Sequence, residues 1–206
     1  MKTRLSEASV VKATGKGWAH WFAVLDKFKC ADKGHKESAK HLLERHGVTP
    51  WWSQTITVEY EVANGLRKPS QRSGGKFGLD VHRTVSATPG DCWDAFTTAK
   101  GLNGWFASKA RVDLRVGGRY TGAGGDKCTF KRIVPSKRLV MSWEHPKHTE
   151  GSVVEVLFEK RGNKTRVSVS HTKIANKSEC DDLKKAWSGV MDEFRKYVEG
   201  RGSNDE

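Results

Sequence analysis

The change of hydrophobic rhythm across residues 68–78, KPSQRSGGKFG, constrains this chain more than any other feature. Three glycines, two serines and a proline in eleven positions suit a flexible connector rather than a helix or strand. Before it, apolar residues recur at helical spacing; after it, they alternate with the period of a strand. The chain of 206 residues is long for one small domain and short for two large ones. It is read as a helical unit over residues 1–67, a connector at 68–78, a second unit at 79–200 and a tail at 201–206.

In the first unit, Trp18, Trp21, Phe22, Leu25 and Phe28 fall on one broad helical face, and Ala39, Leu42, Leu43 and His46 repeat the spacing before a stop at Gly47. The stretch TPWWSQTITVEYEVANG is ambiguous. Ile56, Val58, Tyr60 and Val62 alternate like a strand, yet Thr49-Pro50 opens a helix and Gly65 would close one in the left-handed conformation. An isolated strand would leave its backbone groups unpaired, and no other stretch of residues 1–66 reads as a partner. A helix from about Pro50 to Asn64 is therefore expected, with Trp52, Ile56, Tyr60 and Ala63 on one stripe, Trp52 in a three-helix core and Trp51 at its edge. Residues 14–67, and the string WWSQTITVEYE above all, resemble a small, mostly bacterial domain family of unknown function. That resemblance implies a helical fold and no chemistry.

In the second unit a strand at 79–87 precedes two short helices, 91–97 and 101–107. Strands follow at 111–122, 127–134, 138–145, 152–160 and 164–173, separated by turn residues. A long helix at 179–199 ends the unit, with Ser178 and Asp181 as an approximate capping box and Leu183, Trp187, Val190, Met191, Phe194 and Val198 as its apolar stripe. This order predicts an α+β domain in which an antiparallel sheet curls around the last helix. The strings WDAFTTAKGLNGWF, VDLRVGGRYTG, FKRIVPSKRLVMSWEH and VEVLFEKRGNKTRVSVSHT resemble the Activator of Hsp90 ATPase homologue family of the START-like, Bet v-like superfamily. The resemblance implies a helix-grip fold with room for a cavity between sheet and helix. One departure is Ala186-Trp187, where family members often carry Gly-Trp.

Alternation assigns the strand faces. Leu139, Met141, Trp143 and His145 share one face, as do Cys128 and Phe130, then Val154, Val156 and Phe158, then Val167, Val169 and His171. These sets should face Trp187, Val190 and Met191 of the last helix, with Leu102, Trp105 and Phe106 at a rim. The candidate ligand-binding residues are thus Leu102, Trp105, Phe106, Phe130, Met141, Trp143, His145, Val156, His171, Trp187, Val190 and Met191. From the residues alone, two readings stay open: a ligand cavity, or aromatics and methionines that simply fill a core. His145 and His171 could orient a ligand's carboxyl or hydroxyl, act as acid/base groups near neutral pH, or serve as structural histidines.

Nothing nominates a catalytic nucleophile, a cofactor or a metal. Cys30, Cys92, Cys128 and Cys180 lie far apart without a C-x-x-C pair, as buried, reduced thiols would. The glycines of VGGRYTGAGG lie between strands, not between a strand and a helix, and so read as turn or bulge rather than phosphate loop. The net charge of +13 favours weak contact with polyanions. The third helix, however, carries Glu59 and Glu61 and no base-reading cation before Arg67, so sequence-specific nucleic-acid binding is not expected. No apolar run is long enough to span a membrane, and the first residues lack a signal-peptide core, so a cytoplasmic protein is expected. The expected function is binding of a small apolar or amphipathic ligand. The alternatives are a protein partner, including a chaperone-associated role, and a cyclase- or hydrolase-like enzyme.

Overall fold

The computed structural model describes residues 3–201, and the tail residues 202–206 lie outside that range. The chain divides into two compact units, Met1–Pro69 and Ser70–Glu206.

Among the described residues the first unit holds four helices, one more than expected: α1 (Glu7–Thr14), α2 (Trp18–Phe28), α3 (Cys30–His46) and α4 (Pro50–Ala63). The unexpected α1 has no apolar repeat. It contributes one fully buried side chain, Val10, and starts where Ser6 accepts from the Ser9 N–H. Gly34, at φ 77°, breaks α3 after its first turn. The ambiguous stretch is helix α4. Thr49 occupies its N-cap without a side-chain cap bond, and Pro50 takes the first turn, where its missing N–H is not needed. Gly65, at φ 70°, ends it as expected, and the Leu66 N–H reaches back to Glu61 O at 2.8 Å. Ile56 and Tyr60 pack with Trp18, Trp21, Phe22, Leu25 and Leu42 in one core. Trp52 is half-buried at 6.4 Å from Trp18, whereas Trp51 is 60% exposed. Ala63 and Leu43, placed on buried stripes by their spacing, are exposed. Leu43 lies about 100° round the helix from the fully buried Leu42 and falls outside the core. Two glutamates of α4 are buried and paired: Glu59 with Arg4, and Glu61 with Arg67 at 2.8 Å and His35 at 3.1 Å.

The second unit runs β1 (Phe77–Val85), α5 (Pro89–Thr97), α6 (Ala99–Trp105), β2 (Arg111–Val112), β3 (Arg119–Thr121), β4 (Lys127–Val134), β5 (Arg138–Glu144), β6 (Ser152–Arg161), β7 (Lys164–Ile174) and α7 (Lys177–Arg201). The strands form one antiparallel sheet in the order β1-β7-β6-β5-β4-β3-β2, against which α7 packs through β1 and β7. This is the α+β helix-grip architecture expected from the sequence. Three details differ. The segment 68–78 is not a connector throughout: β1 already begins at Phe77, and Gln71 bridges to Phe77 while the Arg72 N–H donates to Lys76 O. The strand expected at 111–122 is two short strands paired with each other, because the chain turns back near Gly117, at φ 81°. The N-cap of α7 is Asn176, whose Oδ1 accepts from the Glu179 N–H at 2.9 Å, so Ser178 lies within the first helical turn.

Alternation holds through the central strands. β5 buries Leu139, Met141 and Trp143; β6 buries Val154, Val156 and Phe158; β7 buries Val167, Val169 and His171. Register carries these residues into rows across the sheet. Tyr120 pairs with Cys128, Cys128 with Trp143, and Trp143 with Ser152; Phe130 pairs with Met141, and Met141 with Val154.

Candidate functional site

Between these rows and the helices lies a small cavity of about 30 Å³. Its sheet side is Tyr120, Cys128, Phe130, Met141 and Trp143; α5 and α6 add Phe96, Leu102 and Trp105; Phe106 follows α6, and Trp187 comes from α7. Of the twelve candidates, seven line this cavity: Leu102, Trp105, Phe106, Phe130, Met141, Trp143 and Trp187. The other five do not. Val156 and Met191 are fully buried in the core, and Val190 packs at its margin. His145 falls one residue beyond β5. It turns into the following loop, where its Nδ1 accepts from the Lys147 N–H and its ring lies 4.6 Å from that of His148. His171 is completely buried behind the wall, 6.0 Å from the Trp143 ring.

Phe96, Tyr120 and Cys128 line the cavity without having been among the candidates. For Cys128 the signal was present, since it alternates with Phe130. Phe96 belongs to a short helix with no clear face of its own, and Tyr120 sits on a strand of three residues, too short for alternation to show.

Aromatic rings surround the cavity. Phe106 stands 6.0 Å from Tyr120, 6.1 Å from Trp143 and 6.2 Å from Trp187, stacked on the last. Trp105 is tied to α5, its Nε1 donating to Ala95 O at 2.9 Å. Trp187 is fixed from behind: its Nε1 donates to His171 Nδ1 at 3.2 Å. An indole N–H can only donate, so Nδ1 is the acceptor and Nε2 carries the proton, which goes to Ser152 Oγ at 2.9 Å. His171 is therefore a neutral, fully engaged positioning group, and burial pushes its pKa down to about 4. Ala186, where the resemblance leads one to expect glycine, is exposed, and Trp187 still reaches the cavity.

The electrostatics are uniform. Burial raises the pKa of Tyr120 and of Cys128, so both stay protonated, and none of the described lining residues bears a charge. Two lining residues keep a buried donor without a partner: Tyr120 Oη and Trp143 Nε1. Neither a nucleophile–base pair nor a carboxylate pair faces the cavity among the described residues. No group of three or more His, Cys, Asp or Glu side chains able to hold a metal ion occurs among them either. All four cysteines are buried and unpaired. No described helix is long and apolar enough to cross a membrane.

Several solved structures share this architecture. CalU16 from Micromonospora echinospora matches with a TM-score of 0.56 at 21% identity, over 65% of this chain and 83% of its own. Protein MLL2253 from Mesorhizobium loti matches at 0.55 and 17%, over 63% and 99%. The Aha1 dimer from Colwellia psychrerythraea matches at 0.54 and 18%, over 59% and 96%. At these identities the likeness shows the fold. No curated protein matches the chain. The family profile described as Activator of Hsp90 ATPase homolog 1-like protein matches residues 86–199, from the end of β1 through most of α7. It leaves out residues 14–67, whose own resemblance stays an expectation. With more than half of its length under that profile, the chain belongs to the Activator of Hsp90 ATPase homolog 1-like family.

Proposed function

We propose that the second unit is a binding module for a small apolar ligand, taken up where the aromatic cavity now lies. One observation carries this reading: ten large or sulfur-bearing side chains of the sheet and of the helices beside it leave a small space between them. Protein interiors of this kind normally close around such space. The volume of about 30 Å³ holds roughly two waters, far below the several hundred Å³ of a ligand pocket, so the walls must part on binding. Phe106 is suited to that movement, being half-buried and held by ring contacts rather than by side-chain hydrogen bonds.

The test is calorimetric titration with a neutral aromatic hydrocarbon such as naphthalene. Cys128→Leu, which extends a side chain into the cavity, should abolish binding while leaving the far-ultraviolet dichroism unchanged. Equal binding by the variant would place the hydrocarbon elsewhere. A chaperone-associated partner is supported by family membership alone. A cyclase- or hydrolase-like activity would need an acid or base facing the ligand, and His171, with both ring nitrogens engaged, is not free for that role.

A further inference from the structure

The cavity's two unpartnered donors say more about what would fill it. Tyr120 is 3% exposed and Trp143 6%, so neither Tyr120 Oη nor Trp143 Nε1 finds compensation in bulk water. A buried donor left unpaired is destabilising, and buried polar groups in folded proteins are nearly always satisfied. Other side chains nearby are satisfied: the partly buried Trp105 donates to Ala95 O, and the buried Trp187 and Thr97 donate to His171 and Trp93 O. Buried polar atoms without a hydrogen-bond partner among the described residues also include Trp18 Nε1, His148 Nδ1 and Arg166 Nε, but of these residues only Tyr120 and Trp143 line the cavity, on β3 and β5, flanking Cys128 of β4. A purely apolar ligand would leave both donors unpaired. A carboxylate would meet donors, but it would be buried among neutral groups with no lysine or arginine in the described lining to balance its charge, which is costlier than leaving it in water.

Resting on the binding reading above, we infer that the ligand is an uncharged apolar molecule bearing an acceptor oxygen, such as a ketone, aldehyde or ester carbonyl, and that Tyr120 Oη and Trp143 Nε1 donate to it. The same donors then discriminate: a ligand lacking the oxygen leaves them unpaired, and an anion pays desolvation without a counter-charge. The raised pKa of Tyr120 is consistent, since it keeps the phenol a donor at any physiological pH.

The experiment compares three probes of nearly one shape by calorimetry on the full chain: 2-acetylnaphthalene, its isostere 2-isopropenylnaphthalene and 2-naphthoate. The ketone should bind about tenfold tighter than the alkene, the equivalent of one net hydrogen bond, and the carboxylate should bind weakest. Tyr120→Phe should narrow the ketone-to-alkene ratio and, because it removes an unpaired buried hydroxyl, raise the melting temperature of the unliganded protein. Equal binding of ketone and alkene, or tightest binding of naphthoate, overturns the inference while leaving an apolar-ligand site standing. A lowered melting temperature of unliganded Tyr120→Phe also overturns it, because the hydroxyl would then have a structural partner. Failure of all three probes to bind removes both readings.

Discussion

His171 is completely buried, accepts from Trp187 and donates to Ser152, and its pKa falls from 6.5 to about 4. The folded state thus holds it neutral where the unfolded chain would protonate it. Its contribution is fully present above about pH 6.5 and is lost as pH falls towards 4, on the order of 3 kcal/mol in all. His35 in the first unit behaves in the opposite sense. Its hydrogen bond to Glu61 raises its pKa, with a second bond to Gln54 adding to the rise. The stability that it contributes is present below 6.5 and is lost as pH rises through its folded value. Hydrogen-exchange protection measured between pH 5 and 8 should therefore fall on the acid side for β6 and β7 and on the alkaline side for α3 and α4. His171→Gln keeps an acceptor and a donor but cannot titrate near these values, and should flatten the acid-side change; an unchanged slope would assign it to carboxylates instead.

At the scale of elements, α6 is the piece whose position decides the cavity, since Leu102 and Trp105 sit on it and Phe106 ends it. Two glycines let it lie close to its neighbours. A Cβ on Gly101 would stand 2.4 Å from Asp94 O and 2.7 Å from Ala95 Cα, both backbone atoms of α5. A Cβ on Gly104 would meet the ring of Tyr197 on α7 at 2.1 Å. Backbone cannot turn aside as a ring can, so Gly101→Ala should push α6 away from α5 and cost about 1–3 kcal/mol by urea unfolding, with Gly104→Ala costing less. The displaced α6 should also alter the ketone affinity. Gly101→Ala at wild-type stability would mean that the α5–α6 junction yields more readily than its backbone contacts imply.

Each unit has a core of its own, one around Leu25, Leu42 and Ile56, the other around Phe130, Leu139, Met191 and Phe194. A ligand confined to the second core stabilises the state that binds it by about 2.7 kcal/mol at a hundredfold excess over Kd. Exchange protection of β4, β5 and α7 should rise with saturating 2-acetylnaphthalene, while that of α2 and α4 stays constant. Protection gained equally in both units would show binding outside the second core.

The sequence by itself determined most of the elements and the inward faces of the central strands. The period of two in Leu139, Met141 and Trp143 can be satisfied only by a strand with those side chains inward, and the lack of any partner strand in residues 1–66 settled α4 as a helix against its strand-like alternation. It could not show α1, whose one buried residue makes no pattern, nor the pairing of Glu59 and Glu61, because a buried carboxylate is legible only once Arg4, Arg67 and His35 are brought to it. The cavity lay further from view. Seven of its residues were named from alternation and resemblance, but whether ten side chains fill a space or leave it open depends on their summed volumes against the separation of sheet and helix. The same holds for His145 and His171. One residue past the end of β5 turned the first into a loop, and the second spends both nitrogens on neighbours contributed by α7 and β6. Tertiary structure decided these points because they depend on distances between segments remote in sequence, whereas periodicity records only which side of its own backbone each residue occupies.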